Sequence, residues 1–434
     1  MIKAIVNARI YDFNRFIDEG FVIFDDKILS VGSMDEFKNK DYHLIDGQDY
    51  LVLPGLINNH THIYSTFARG MSVPFHPKNF QEILDQLWWK LDRNLDNEMT
   101  YYSGIVSAVD HVKNGVTTMI DHHASGVDIT GSLEALKKAV CDDTGVRGIF
   151  AFETSDRFDV DKAIKENVTF NKNNQSGMTR GLFGLHASMS LSEATLKKVK
   201  GNLGDIPIHI HVAESVMDEE DSQKKYKEKI IKRLERHGLL NKDSIIAHGI
   251  YIDDEEMDIL KKHDCKMAVN FSSNMNNSVG LPPLKSFRAH DLGVIVGNDG
   301  ISSSITTEYL NVYYGTRLLD KTPNLFGFDE LKKMINESYQ YASRILDVKL
   351  GKIEEGYEAD LLVIPYMPPT PINESNVFGH LFFGLFNSFK PRCVFIAGKQ
   401  IVQYYNVNEY LNDQYFKANQ YAAKLWDRIN KEMK

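Results

Sequence analysis

The chain has 434 residues, enough for one large barrel with additions or for more than one domain. Its formal net charge of −9 argues against a general nucleic-acid-binding protein, because such proteins usually carry a basic face. No apolar run reaches about 18 residues, so we expect no membrane span. The cysteines are too few and too scattered for a disulfide framework. Because the N-terminus also lacks a signal-peptide pattern, we expect a cytoplasmic protein.

Short β-type runs lie at both ends of the chain. These runs cover residues 4–6, 21–24, 28–31, 359–364 and 393–397. Neither group is large enough to bury a hydrophobic core alone. We therefore predict one small β-sandwich domain built from residues 1–52 and 354–403, followed by a helical C-terminal tail over residues 404–434.

Between these ends, apolar runs alternate with amphipathic helical segments, which is typical of repeated βα units and a parallel sheet. The apolar runs cover residues 51–58, 116–121, 148–153, 182–186, 206–211, 244–248, 266–270 and 293–298. Eight strands with eight crossovers close into a barrel of about 250 residues or more. The sequence therefore predicts an α/β fold with a TIM-like (β/α)8 barrel over residues 53–353.

Several of the predicted strands end in residues that can bind a metal. The first leads into His60 and His62, whose imidazoles lie on the same side of an extended chain. The fifth, sixth and eighth lead into His211, His248 and Asp299. A single histidine of this kind is more often structural, and Asn-Asp-Gly is usually a turn. Such residues at four strand ends of one barrel favour an active site, because barrel active sites form at that face.

The segment LPGLINNHTH, which ends at His62, resembles the first-strand motif of the amidohydrolase superfamily. The segment HVAE, residues 211–214, resembles the fifth-strand motif of the deaminase and chlorohydrolase branch of that superfamily. His248 and Asp299 match the sixth-strand histidine and the eighth-strand aspartate of the same branch.

The resemblance extends over nearly the whole chain. Residues 351–361 resemble the return into the β-sandwich that follows the barrel. The segments LWWKLD, residues 87–92, and DHHAS, residues 121–125, are similar to those of the SsnA group of aminohydrolases. These motifs do not define the substrate of that group.

The resemblance implies that His60, His62, His211 and Asp299 bind one divalent metal per chain. Zn²⁺ is the first expectation and Fe²⁺ the alternative, because these ligand types suit both ions. His248 is implied to contact the metal-activated water. Asp299 and His248 would take the proton of this water.

Glu214 is implied to shuttle protons, and its place three residues after His211 lets its carboxyl face the substrate. Binuclear members of the superfamily bridge two metals with a lysine at the end of a middle strand. Here the third and fourth predicted strands lead into Glu153 and His186, which supply no lysine. A mononuclear site is favoured, with Glu153 as a bridging carboxylate the alternative.

Further residues are predicted to contact the substrate. His186 resembles a histidine that contacts substrate in related deaminases. Arg69 is expected to meet an anionic or carbonyl group, with a surface salt bridge as the alternative. His122 and His123 end the second strand, and at least one is expected to face the site. Both facing it is not expected, since neighbouring strand residues point oppositely.

Three features stay open at this level. The aromatic stretch from Phe75 to Trp89 either covers a planar ring as a lid or packs an added helix or a dimer contact. His209 faces the same side as His211 but deeper, in the barrel core or behind the metal ligands. Chain order leaves open whether the C-terminal tail covers a neighbouring subunit of the expected homodimer or larger homo-oligomer.

The resemblance favours hydrolytic deamination of a nitrogen heterocycle such as an aminopurine, with guanine or related oxidised purines first. Opening of a cyclic amide and hydrolytic dechlorination are alternatives on the same scaffold. A non-catalytic barrel is a remote alternative, because every expected ligand and Glu214 are present. The expected partner is a small heterocycle, with neither nucleic acid nor membrane.

Overall fold

Strands supply two sheet assemblies in the computed structural model, which describes residues 1–432. In chain order the strands are β1 (Lys3–Tyr11), β2 (Phe16–Phe24), β3 (Ile28–Ser33), β4 (His43–Asp46), β5 (Leu51–Pro54), β6 (Leu56–Thr61), β7 (Val116–His123), β8 (Arg147–Phe152), β9 (Thr179–Gly181), β10 (Phe183–Ala187), β11 (Ile208–Val212), β12 (Ile245–His248), β13 (Lys266–Val269), β14 (Gly293–Val296), β15 (Leu361–Ile364), β16 (Cys393–Ile396) and β17 (Lys399–Gln403). Strands β6 to β14 build the barrel, and the others build a separate mixed sheet.

Helices connect and cover these strands. They are α1 (Phe80–Ile83), α2 (Trp89–Asp92), α3 (Asn97–Lys113), α4 (Ser132–Lys137), α5 (Val160–Asn173), α6 (Glu193–Leu203), α7 (Val216–Tyr226), α8 (Ile230–Arg236), α9 (Asp254–Lys262), α10 (Phe271–Asn276), α11 (Leu284–Ala289), α12 (Ile305–Asp320), α13 (Phe328–Leu346), α14 (Val377–His380) and α15 (Glu409–Glu432). A π-helical turn, Leu84–Trp88, joins α1 to α2. No helix within residues 1–432 combines the length and apolar character needed to cross a membrane.

The mixed sheet has the strand order β17-β16-β15-β5-β1-β2-β3, with β4 pairing alongside β1. Phe24 of β2 and Phe395 of β16 lie 5.3 Å apart between ring centroids, although β1, β5 and β15 separate their strands. The sheet therefore curls until its two ends face each other. This encloses a small apolar core of its own, which includes Ile5, Ile10, Val22, Val52, Leu361 and Val363.

Strands β6 to β9 and β10 to β14 form two parallel sheets that meet at both edges. Thr154 pairs with Leu185 at one junction. At the other, the backbone N–H groups of Asn298 and Asp299 donate to the His60 carbonyl at 2.9 and 3.0 Å. Since Leu182 alone separates β9 from β10, these two act as one barrel strand. The predicted TIM-like (β/α)8 barrel is confirmed.

The predicted first strand, residues 51–58, is in fact two strands. β5 pairs with β1 and β15 in the mixed sheet, whereas β6 pairs with β7 in the barrel. Gly55 makes the transition, and a Cβ atom there would lie 2.1 Å from the Thr117 hydroxyl oxygen. The single-strand prediction was wrong because apolar content alone does not show where a buried chain changes sheets. The domain boundaries at 52/53 and 353/354 stay a prediction.

The C-terminal helix α15 packs on α3 of its own chain. Leu425 and Ile429 are fully buried there. The Trp426 indole N–H donates to the Phe67 carbonyl at 2.7 Å, and the Arg428 guanidinium donates to the Asn94 carbonyl at 2.5 Å. The described part of the predicted tail therefore covers the barrel, while residues 433 and 434 lie outside the described residues.

Candidate active site

Four side chains that can bind a metal converge at the carboxyl ends of the barrel strands. His60 and His211 lie in β6 and β11, while His62 and Asp299 follow β6 and β14. One potential ligand atom from each lies within 4.8 Å of the others. Asp299 Oδ1 lies 2.8 Å from His60 Nε2 and 3.0 Å from His62 Nε2. Three imidazole nitrogens and one carboxylate oxygen form a donor set that suits a divalent metal such as Zn²⁺.

The other ring nitrogen of each histidine is held from behind. His62 Nδ1 donates to the His122 carbonyl at 2.7 Å, and His211 Nδ1 donates to the His186 carbonyl at 2.9 Å. His60 Nδ1 lies 2.8 Å from Nε2 of His209. Such contacts fix the ring orientation and leave Nε2 as the ligand atom. The hydrogen bonds of the protein itself therefore make the three Nε2 atoms converge on one place.

Strained backbone turns follow the strands that supply the site. Ala213, His248 and Asp299 have φ values of 49°, 71° and 55°, in the left-handed region. For residues other than glycine, such a conformation costs about 1–3 kcal/mol and concentrates at functional sites. Here the turns redirect the chain so that Glu214, His248 and Asp299 lie side by side.

Glu214 and His248 form a second pair beside the four ligand candidates. Their Oε2 and Nε2 atoms are 3.5 Å apart. The Asn274 amide donates to His248 Nδ1 at 2.9 Å, so the neutral ring carries its proton on Nε2. Burial lowers the pKa of His248 to about 4. Burial, with the charge of Asp299 adding to it, raises the pKa of Glu214 well above its usual range. A carboxyl tuned in this way can hold a proton near neutral pH.

A cavity of about 780 Å³, including its open mouth, lies over this group. His62, His211, Glu214 and Asp299 are among its lining residues. The opposite side is apolar and comes mainly from the helical segment Phe80–Asp92, through Phe80, Leu84, Trp88 and Trp89. Volumes of roughly 300–1,000 Å³ with apolar walls and few polar groups are typical of small-molecule sites. Both tryptophans therefore face the cavity instead of serving only to pack a helix.

A buried ion network forms one wall of the cavity. The Arg157 guanidinium donates from Nη2 to both Asp92 oxygens at 2.7 Å and from Nη1 to Glu153 Oε1 at 2.9 Å. The guanidinium also lies 4.5 Å from the centroid of the Trp89 ring. Burial raises the pKa of Glu153 to about 8, against the lowering effect of Arg157. The network thus fixes Trp89 in the wall through a cation–π contact.

Two predicted substrate contacts differ in where the structure places them. His186 lines the cavity, with its Nδ1 atom 2.6 Å from the Ser190 hydroxyl oxygen. Arg69 does not line this cavity, and its side chain is 62% exposed in a 3.0 Å ion pair with Asp110. For Arg69 the structure favours the surface salt bridge. The arginine at the cavity is Arg157 instead.

His122 and His123 point in opposite directions, as expected for neighbours on a strand. His122 lies inside the barrel beneath the ligand candidates, where its Nε2 donates to the carbonyls of Leu185 and His209 at 3.0 and 3.1 Å. The ring of His123 lies 5.9 Å from that of Phe152. Among the described residues neither ring lines the cavity, although the His122 ring lies 4.6 Å from that of His211, so contact of either histidine with substrate stays a prediction. His122, which faces inward, lies deeper in the barrel than the residues that line the cavity.

Several site residues were not found from the sequence. Ser273 donates to Asp299 Oδ2 at 2.6 Å, and Asn277 donates to Glu214 Oε1 at 3.3 Å. Both come from the polar segment FSSNMNN after the seventh barrel strand, a signal that was available. Asp92 and Arg157 are 65 residues apart in the chain, and no local pattern links them.

Comparison with known proteins gives related sequences that cover most of the chain. Residues 51–401 match the amidohydrolase family. A 5-methylthioadenosine/S-adenosylhomocysteine deaminase from Pyrococcus furiosus is 31% identical over 348 residues, which cover 76% of this chain and 79% of the relative. A 5'-deoxyadenosine deaminase from Methanosphaera stadtmanae is 28% identical over 348 residues, covering 77% and 79%.

A solved structure shares the fold. An adenosine deaminase from Xanthomonas campestris, solved with bound zinc, superposes with a TM-score of 0.83 at 17% sequence identity. The match covers 97% of this chain and 98% of that one. At this identity the likeness shows the architecture, with a barrel and a mixed sheet in one chain.

Proposed function

Because this chain belongs to the amidohydrolase family, we propose that it removes an amino group from an aminopurine by hydrolysis, with an adenine-type ring as the first substrate to test. The observation that carries the proposal is the buried Glu214 carboxyl, 3.5 Å from His248 and beside the metal-competent donors. Relatives named for 5'-deoxyadenosine and 5-methylthioadenosine favour adenine over the guanine that the family resemblance suggested.

The residues present fit one divalent metal. His60, His62, His211 and Asp299 would hold it, since their donor atoms already converge and the histidine rings are anchored from behind. Zn²⁺ is the first candidate, supported by the zinc in the structural neighbour and by the ligand types. When bound, such an ion supplies Lewis acidity, which makes water a nucleophile near neutral pH. The third-strand residue Glu153 is paired with Arg157, which supports a single metal over a bridged pair.

Asp299, His248 and Glu214, which lie around the candidate metal site, each have a separate part in the proton transfers. Asp299 accepts a proton from the attacking water, and the Nε2–H of His248 hydrogen-bonds the oxygen as negative charge develops on it. Glu214 in its protonated form donates to a ring nitrogen, which makes the ring carbon electrophilic. One proton of the water then leaves with the amino group as ammonia, and the other returns to Glu214, while the ring keeps the oxygen and the proton that Glu214 donated. One water is consumed for each ammonia released.

The proposal is tested by ammonia release from protein loaded with Zn²⁺ and from chelated protein. The panel contains 5'-deoxyadenosine, adenosine, adenine, guanine and a chlorotriazine. We expect metal-dependent ammonia from at least one adenine compound, with a hypoxanthine-type product. Chloride release without ammonia, or no reaction by protein carrying about one metal per chain, would contradict it.

The assembly state and location belong to the same proposal. A homodimer or larger homo-oligomer and a cytoplasmic location are expected from the sequence. Light scattering coupled to size exclusion measures the first, and a single monomeric peak at micromolar concentration would contradict it.

A further inference from the structure

The cavity over the candidate active site is lined by an excess of acidic side chains. Among its described lining residues, Arg157 alone is a lysine or arginine. The carboxyl groups that line the same cavity are those of Asp92, Glu153, Glu214, Asp218 and Asp299. The lining therefore offers an anionic group of a ligand a single cationic side chain, that of Arg157.

The positive charge of Arg157 is already balanced. Both of its terminal nitrogens donate to carboxylates, Nη2 to Asp92 at 2.7 Å and Nη1 to Glu153 at 2.9 Å. Its side chain is only 15% exposed, and its flat face lies against the rings of Trp89 and Phe158, at 4.5 and 4.8 Å. A ligand carboxylate would have to compete with Asp92 and Glu153 for this guanidinium. Arg157 therefore supports the wall and is not an open anion site.

Asp218 adds an acidic group that no cation on the wall neutralises. It is 5% exposed, and its Oδ2 atom accepts the backbone N–H of Ala213 at 2.9 Å. Burial raises the pKa of this carboxyl to about 7 and that of Glu153 to about 8. A protonated carboxyl is a neutral hydrogen-bond donor, so protonation weakens repulsion but supplies no positive charge.

Apolar side chains line the part of the cavity next to the Arg157 network. Contacts lead outward from the ligand candidate His211 to His186, with ring centroids 5.8 Å apart, and from His186 to Trp89, 6.1 Å apart. Phe80, Leu84 and Trp88 also line the cavity. A ring held at Glu214 would thus direct its substituent toward aromatic and aliphatic side chains. Any metal ion would sit at the other end, with the reacting carbon.

We propose that this cavity selects heterocyclic amines whose substituent outside the ring carries no negative charge. The inference rests on the proposed deaminase function and narrows it, separating neutral nucleosides from nucleotides and from substrates with a carboxylate tail. A carboxylate or phosphate placed in this cavity would lose its hydration without gaining an unpaired cation. Of the compounds after which the relatives are named, 5'-deoxyadenosine and 5-methylthioadenosine fit this rule, and S-adenosylhomocysteine, with its carboxylate, does not.

The test compares two substrates of nearly equal shape, the 5'-carboxamide and the 5'-carboxylate of adenosine, on the metal-loaded protein. We expect kcat/KM to be at least about 100-fold higher for the carboxamide, because a buried unpaired charge is costly. Equal values within threefold would overturn the inference and leave the deaminase proposal standing.

If neither compound is deaminated, the deaminase proposal loses its support and binding decides the inference. Quenching of the tryptophan fluorescence, to which Trp88 and Trp89 in the cavity contribute, measures that binding with the same two compounds. Tighter binding of the carboxamide supports the inference. Equal binding, or binding of neither compound, overturns it.

A pair of matched variants tests the role of the balanced arginine. Asp92→Asn removes the carboxylate that holds Arg157 Nη2 through both of its oxygens, so we expect the preference for the carboxamide to shrink about tenfold. Asp110→Asn makes the same change beside Arg69, outside the cavity, and should leave the preference unchanged. Equal behaviour of the two variants would overturn the assignment of selectivity to the cavity wall.

Discussion

Two arginines, each held between two carboxyl groups, lie at opposite ends of the barrel. Arg147 starts β8 at the amino end and donates to Asp360 at 2.8 Å and to Glu358 at 2.9 Å. Its third nitrogen donates to the Gly177 carbonyl at 2.5 Å. The side chain is 1% exposed and joins the barrel to the mixed sheet. Arg147 and both of its carboxylate partners are buried.

Arg157 follows β8 at the carboxyl end, where its carboxylate partners Asp92 and Glu153 line the cavity. The ion pairs are as short as those of Arg147, but one side of the network faces a space built for a ligand. The same chemistry therefore serves two purposes. At the amino end it joins two sheets, and at the carboxyl end it shapes a binding surface. Buried ion pairs by themselves contribute little net stability. The role of each arginine therefore depends on its surroundings, which are a second sheet for Arg147 and an open cavity for Arg157.

The largest effect is expected at the carboxyl end, for Glu214→Gln. The variant keeps the shape and the hydrogen bond to Asn277 but cannot donate a proton as an acid, so kcat should fall about 10³–10⁴-fold. Metal content, measured by mass spectrometry, should stay equal to that of the wild type. Full activity of the variant would show that another group moves the proton.

At the amino end, Arg147→Ala should act on stability. Its removal leaves the buried Asp360 carboxylate without its arginine and leaves Glu358 with the half-exposed Lys27, 3.7 Å away, which costs about 3–5 kcal/mol. Urea unfolding followed by circular dichroism measures the loss. For the protein that remains folded, kcat/KM should stay within about twofold, since no substrate group reaches this end. A specific loss of kcat with unchanged stability would reverse the assignment of the two ends.

Replacing the arginine at the carboxyl end, Arg157→Met, should affect substrate binding more than stability. Trp89 loses the guanidinium that supports it, so we expect KM to rise about tenfold with kcat changed less than threefold. The free energy of unfolding should fall by about 1–2 kcal/mol, less than for Arg147→Ala, because the site is partly open. An unchanged KM would show that the wall does not contact the substrate.

The smallest effect concerns pH. Burial raises the pKa of Glu153 to about 8, with Asp92 adding to the rise and Arg157 opposing it. The unfolded carboxyl ionises near its usual value while the folded one stays protonated. The stability contributed by Glu153 is therefore complete below that usual value and is lost as pH rises toward about 8. Glu153→Gln cannot ionise, so its melting temperature should fall about 1–3 °C less than that of the wild type between pH 5 and 8. Parallel curves for the two proteins would contradict this.

The barrel could be predicted from the sequence because alternating apolar runs and amphipathic helices determine a parallel sheet locally. The polar strand ends could be grouped as well, because all parallel barrel strands end at the same face. His60, His62, His211 and Asp299 accordingly lie together in the structure. Their role as metal ligands stays a prediction, and measuring the metal content of variants at these four positions will test it.

The arginine that the sequence misplaced and the one that it missed lie in loops, whose paths the local sequence does not determine. Arg69 follows the motif closely in sequence, yet it lies outside the cavity beside Asp110. Arg157 belongs to no motif and reaches the cavity wall through Asp92 from another connection of the barrel. The side on which a loop residue ends depends on the path of the loop, which packing against distant segments determines.

The sequence alone determined the strands, their polar ends and the set of groups able to bind a metal and move protons. The tertiary structure decided the depth of each side chain, with His122 beneath the site and His186 in its wall. It also decided which arginine faces the ligand and which carboxylates balance it. Periodicity acts over neighbouring residues, whereas burial, charge balance and cavity shape arise from contacts between segments far apart in the chain.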